Sequence, residues 1–174
     1  MRIQRLARIA AAAAGGRTDE LPRLYAEAHD GGVSAEDLAE VTLQVFLFAG
    51  YPRTILAFQA LRGALGTDWQ PPLEENPPDF AERGLQTFQS VYGKHTEVVL
   101  EMLRSLHPDF ARYVIHDAYG QVLGRPFLPL VERELLAVAM LAAMDLPEQQ
   151  KAHVRGARAA GATDEQIQLV SAIQ

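Results

Sequence analysis

The sequence has no cysteine in its 174 residues. That absence excludes disulfide staples, thiolate nucleophiles, dithiol redox chemistry and metal sites built on sulfur. Positive charge is also in short supply, with 16 Lys and Arg against 22 Asp and Glu, a net charge of -6 and a pI near 5.3. A nucleic-acid partner is not expected, because phosphate binding needs clustered cations. A small basic pocket for an anionic substrate remains compatible with this balance. Long β-branched alternation is missing, which argues against sheets. Glycine-rich phosphate loops are missing too, since "AAGG" follows no strand. His, Asp and Glu do not recur at metal-ligand spacing, so no metal and no cofactor are expected. No segment reads as apolar enough for long enough to span a bilayer, so no membrane partner is expected.

What the chain does have is 48% hydrophobic residues, enough for a buried core and too many for a disordered chain. Ala, Leu, Glu, Gln and Arg dominate at helical spacing, and the fold class reads as all-α. Helices are expected near 2–14, 18–30, 35–49, 52–65, 79–92, 94–106, 109–123, 129–144, 147–160 and 164–173. Their ends carry chemistry. Thr163 with Gln166 forms a capping box, and Ser34 with Asp37 a shorter cap. Gly32 and Gly161 sit where helix-stopping glycines belong, and Pro147 suits a first turn. In "FLFAGYPRTILAFQ", Gly50 permits the positive φ of a helix end and Pro52 suits the start of the next helix. The N-terminal "MRIQRLARIAAAAAGG" places Ile3, Leu6, Ile9, Ala10 and Ala13 at helical intervals with arginines inside the pattern. It reads as a helix of the fold rather than a signal peptide, and the location as cytoplasmic.

The segment 67–79, "TDWQPPLEENPPD", cannot continue a helix through two Pro-Pro pairs. It reads as an extended surface linker with Trp69 as an anchor. It separates a first helical unit, 1–66, from a second, 80–174, within one compact domain. An internal repeat crosses it at an offset of about 129 positions. Leu6, Ile9, Ala10 and Ala13 fall on Leu135, Val138, Ala139 and Ala142. Ala28, Gly32, Ser34, Glu36 and Leu38 fall on Ala157, Gly161, Thr163, Glu165 and Ile167.

Residues 109–174 carry further elements: the pair Tyr119-Gly120, then "GRPFLP", then "ERELLAVAMLAAM", then "KAHVRGARAAGATDEQI". In this order they resemble the carboxymuconolactone decarboxylase family, within the alkylhydroperoxidase-D-like all-α superfamily. The family's following segment resembles Glu40, Gln44, Phe48, Gly50 and Pro52, which lie upstream here. Residues 84–174 thus resemble the front and middle of the family domain, and 34–66 its back, in swapped order. Gln59 stands where the family's histidine would be. Gln cannot titrate, so that position is no acid or base here, though it can hydrogen-bond a substrate oxygen.

From the resemblance and the residues together, Glu40 and His153 are the candidate catalytic groups. Glu40 lies on a largely apolar helix, where a carboxylate is tuned by burial, held in an ion pair with an Arg, or turned to solvent. His153 matches a family histidine, beside Arg155 and Arg158. Gln44, Gln59, Tyr119 and Arg125 are the candidate substrate-binding residues, with Arg125 suited to a carboxylate. Glu40, Gln44, Gln59 and the helix of His153 are expected to line one pocket walled by Phe48, Tyr51 and Phe58, built within one chain or with a neighbouring subunit. His116 is a further candidate, whereas His95 and His107 flank helix ends. The resemblance implies a homo-oligomer acting on a small carboxylate or lactone by general acid/base chemistry, a cofactor-independent decarboxylase-like lyase if an enzyme. The alternative is a non-catalytic ligand-binding or scaffold oligomer. Thiol peroxidase chemistry is excluded, since Pro52 and Ile55 occupy the positions of the thiol pair.

Overall fold

Alanine decides where the centre of the molecule lies. In the computed structural model, which describes residues 1–71 and 73–173, helix α1 (Arg2–Gly15) is buried along its length. Ala10, Ala11, Ala12, Ala13 and Ala14 have no exposed surface. Side chains this small let neighbouring helix backbones come close on several sides at once. Helix α2 (Leu21–Asp30) follows a short 3₁₀ turn and buries Leu21, Leu24, Tyr25 and Ala28. Helix α3 (Ala35–Leu65) begins at Ser34, whose hydroxyl accepts from the Asp37 amide. It breaks at Gly50, which has φ 69° and ψ -177°, and restarts through Pro52.

After the linker come α4 (Phe80–Tyr92), a 3₁₀ turn, α5 (Thr96–Leu106) and α6 (Pro108–Tyr113). The expected helix at 109–123 does not stay α-helical. From Val114 to Leu123 it widens into a π-helix. That segment packs on α4 at backbone distance. A Cβ on Gly84 would stand 2.0 Å from the Ile115 carbonyl oxygen, and one on Gly120 would stand 2.1 Å from that of Phe80. Both contacts require glycine. The chain closes with α7 (Leu130–Ala143), α8 (Pro147–Ala159) and α9 (Asp164–Ser171), the last entered through the capping box of Thr163 and Gln166. Among the described residues there is no strand.

Two apolar cores result. The larger joins α1, α2 and both halves of α3, the second through Ala57 and Leu61, to α7, with Ala157 of α8 and Ile167 and Val170 of α9. Trp69 of the linker packs against it. The α1–α2–α3 and α7–α8–α9 series share the same stops and caps: Gly32 and Gly161 have φ of 83° and 100°, ahead of Ser34 and Thr163. Helices α1 and α7 pack directly on each other. The smaller core gathers Phe88, Val91, Leu100, Tyr119 and Leu123 from α4, α5 and the π-helix.

One expectation needs correction. Helix α3 is long and apolar enough, by length and composition, to cross a membrane. Its break at Gly50 explains why the sequence reads otherwise. Neither half reaches the ~20 residues a spanning helix needs, and the first half buries Glu40 and Gln44 among polar partners.

Candidate functional site

Glu40 sits on the inner face of α3, 1% exposed, with its charge answered by two arginines. Arg125, in the loop after the π-helix, donates to both oxygens, at 2.9 Å through Nη2 and 3.1 Å through Nε. Arg133, buried on α7, donates through Nη2 at 2.7 Å. A paired, hydrogen-bonded carboxylate is the form in which burial is tolerable. The linker adds a second acid. Glu74 bonds Arg83 of α4 and lies 3.7 Å from Nη1 of Arg125. Arg83 also donates to the Gly120 carbonyl at 2.6 Å. Three guanidiniums (Arg83, Arg125, Arg133) therefore face two carboxylates (Glu40, Glu74), leaving one positive charge in excess. Burial pushes the Arg133 guanidinium below its ordinary value, its bond to Glu40 resists this, and Arg125 and Arg83 add to the lowering. Gln44 supports the group by donating to the Arg133 carbonyl at 2.7 Å.

Arg125 also lines a cleft of about 530 Å³. Leu43, Phe46, Tyr51 and Val122 make its apolar wall, and Thr54, Asp117 and Gln121 its other polar groups. A mostly apolar cleft with a few convergent polar groups is the usual form of a small-molecule site.

The expected single pocket does not form within the chain. His153 belongs to a different cluster, where Nδ1 lies 2.9 Å from Oε2 of the buried Glu134 and the Phe48 ring stands edge-on at 5.5 Å. Tyr119 is in the smaller core, not on the cleft. It packs against Phe88 at 4.8 Å and its hydroxyl lies 3.3 Å from that of Tyr92. Burial, then the neighbouring Tyr92 and Glu134, push its hydroxyl well above the ordinary tyrosine range, so it stays protonated. Gln59 is exposed on the second half of α3. Of the expected wall, Tyr51 lines the cleft, while Phe48 faces His153 and Phe58 packs on the larger core. The break at Gly50 turns the second half of α3 onto a new axis, which carries Gln59 away from the face that holds Glu40 and Gln44.

Sequence reasoning missed Glu74, Asp117, Arg133 and Glu134. A signal existed for the last two: "ERE" at 132–134 opens an otherwise apolar helix. Among the described residues no group of three or more His, Asp or Glu is arranged to hold a metal ion.

A family model described as the carboxymuconolactone decarboxylase family matches residues 108–174. That span includes Arg125, Arg133, Glu134 and His153; the segment 34–66 lies outside it. The chain is 30% identical over 172 residues to Peroxisomal protein 2 of Schizosaccharomyces pombe, covering 91% of this chain and 78% of that protein. It is 31% identical over 87 residues to 4-carboxymuconolactone decarboxylase of Acinetobacter baylyi, covering 49% and 65% respectively. Peroxisomal protein 2 of Saccharomyces cerevisiae is 29% identical over 90 residues, covering 51% and 32%.

Proposed function

We propose that this chain, which belongs to the carboxymuconolactone decarboxylase family, binds a small carboxylate or lactone in the cleft beside Arg125 and acts on it by general acid/base chemistry. The observation that carries this reading is a guanidinium on the wall of a mostly apolar cleft: Arg125, held from behind by Glu40 and Glu74, lines it beside Thr54, Asp117 and Gln121. A guanidinium so placed can take an entering carboxylate. Glu40 takes the ion-pair role and aims the Arg125 guanidinium. Loss of carbon dioxide from a carboxylactone puts negative charge on the lactone carbonyl, and a guanidinium at that oxygen lowers the barrier. The lactone carbonyl is the electron sink, so the reaction as written needs no further group.

The test is incubation with 4-carboxymuconolactone, the compound in the name of the Acinetobacter relative, with carbon dioxide release and binding both measured. Release that is lost in Arg125→Ala supports the reading. No release and no binding sink it. Binding without release favours the second reading, a non-catalytic ligand-binding oligomer, for which the exposed Gln59 speaks.

A homo-oligomer is part of the proposal. Its support is the exposed apolar face after Gly50, where Tyr51, Ile55 and Leu56 are 71%, 55% and 47% accessible. The fungal relatives are named as peroxisomal proteins; for this chain we keep the cytoplasm as the proposed location.

A further inference from the structure

The cleft beside Arg125 offers donors from one part of its wall and acceptors from another. Arg125 has N–H donors only. The π-helix brings Asp117 and Gln121 to the same cleft, its i to i+5 bonding setting Asp117 near Gln121 and Val122 on one wall. The Gln121 amide nitrogen lies 3.0 Å from Oδ1 of Asp117, and Nδ1 of His116 lies 2.6 Å from the same oxygen. Among the described residues neither Oδ2 of Asp117 nor Oε1 of Gln121 has a hydrogen-bond partner. What these two side chains still offer a ligand is therefore acceptor oxygen. Thr54 adds no donor, because its hydroxyl already donates to the Gly50 carbonyl at 2.9 Å. The Tyr51 hydroxyl can act either way. No ion pair joins Asp117 to Arg125 among the described residues, so the two charges meet different parts of a bound molecule.

We infer, on the proposed reading of the cleft as a carboxylate site, that its ligand is a hydroxy-carboxylate: one carboxylate for Arg125, a hydroxyl for Asp117, and an apolar body. Asp117 is then the residue that sets specificity, selecting the hydroxyl and turning away a second carboxylate in the hydroxyl's place. Leu43, Phe46 and Val122 receive the body of the ligand. A hydrogen bond from a hydroxyl to a carboxylate is stronger than one between neutral groups. A second carboxylate at that point meets like charge and finds acceptors where it needs donors. A hydroxyl needs one acceptor for its proton, which Oδ2 supplies. An ammonium carries three donors, and leaving any of them unpaired in a mostly apolar cleft is costly. Hydroxy-carboxylates are the open forms of lactones, so the class lies within the carboxylates and lactones proposed above.

The neighbours of Asp117 hold it for this role. Two N–H groups fix one oxygen and leave the other for a ligand. The Phe80 ring stands perpendicular to His116 at 5.6 Å and steadies the imidazole. The Asp117 side chain is 44% exposed, so water screens its charge and the selectivity is moderate rather than absolute. The same contacts make Asp117→Asn an informative variant. His116 and Gln121 then hold the amide oxygen, and the amide nitrogen takes the open side. The atom that faces the ligand changes from an acceptor to a donor, with no change in side-chain size.

The experiment titrates the full chain, Asp117→Asn and Arg125→Ala by NMR at pH 7 with matched straight-chain acids of four to six carbons. Each set holds the plain monocarboxylate, its ω-hydroxy form and the dicarboxylate of equal length, and the flexible chains let each acid reach both groups. The wild type is expected to bind the hydroxy acid about tenfold more tightly than the plain acid, the worth of a hydrogen bond to a charged group, and the dicarboxylate more weakly than the plain acid. In Asp117→Asn the hydroxy acid should lose its advantage and the dicarboxylate should bind about three- to fivefold more tightly, the scale of a half-exposed charge contact. A damaged fold does not produce that gain. Binding that Arg125→Ala abolishes, but with no preference for the hydroxy acid in the wild type or no change of order in Asp117→Asn, overturns the role of Asp117 while the cleft's reading stands. No binding of any acid, or binding that Arg125→Ala leaves unchanged, overturns that reading and the hydroxy-carboxylate with it.

Discussion

Arg133 and Glu134 are neighbours on α7, yet they serve two separate polar clusters. Arg133 donates to Glu40 at 2.7 Å, while Glu134 meets His153 at 2.9 Å. Consecutive helical residues point about 100° apart, so one short stretch of α7 serves two polar clusters. This is why Glu40 and His153, the two expected catalytic groups, do not share a cleft.

The first prediction concerns the arginine cluster. Glu40→Ala leaves the fully buried Arg133 without its carboxylate and Arg125 with Glu74 at 3.7 Å as its remaining one. Breaking a buried pair from one side costs about 3–5 kcal/mol. At this chain length that lowers the melting temperature by roughly 2–4 °C per kcal/mol. Calorimetry on wild type and variant measures it; an unchanged melting point would show that the pairs do not hold the fold.

Arg125→Lys is expected to separate charge from geometry. Lysine keeps the cation but cannot grip both oxygens of Glu40 as the guanidinium does. Binding of 4-carboxymuconolactone should weaken about tenfold in Arg125→Lys, roughly 1.4 kcal/mol, and more in Arg125→Ala. Titration calorimetry is the measurement, and equal affinity in all three proteins would remove Arg125 from the site.

Acid stability should depend on Asp37. Burial alone would raise its carboxyl group, but Arg2, bonded at 2.6 Å, and Ser34 outweigh this and hold it below the ordinary range. A carboxyl group depressed in the folded state stabilises above its unfolded value, about 3.9, and that stability is lost as pH falls through the folded value. Because Arg2 also binds Glu132 of α7, the contact ties three helices. Asp37→Asn should therefore be less stable than wild type at pH 7, and the gap should close below about pH 4. Urea unfolding at a series of pH values tests this; a gap constant with pH would contradict it.

The α4 contact gives a steric prediction. Gly84→Ala places a methyl group 2.0 Å from a backbone oxygen of the π-helix, where no side chain can yield. A destabilisation of at least about 1–3 kcal/mol is expected, with the wall that carries Asp117 displaced. A fully stable variant would mean that α4 and the π-helix pack more loosely than described.

The exposed face after Gly50 makes the proposed oligomer testable. Ile55→Glu with Leu56→Glu should convert an assembly to monomers in light scattering at micromolar concentration. A wild-type protein that is already monomeric at that concentration would refute the homo-oligomer.

Much of the helical layout was legible in the sequence because its causes are local. Ser34, Thr163, Gly32, Gly50 and Pro52 act on backbone within a few residues, through cap hydrogen bonds and the φ values each can adopt. The lack of cysteine closed thiol chemistry with no structure needed. The tertiary structure alone decided which charges meet. Glu40 is 85 and 93 positions from its two arginines, and the linker acid Glu74 joins them from a segment that reads as bare surface. It also decided that the helix after Val114 widens and that Gly84 and Gly120 bring two backbones closer than any sequence period records. Sequence patterns register which face of a helix is apolar. Which carboxylate that face delivers to which guanidinium depends on how distant helices are rotated against each other, and that is a property of the packed core.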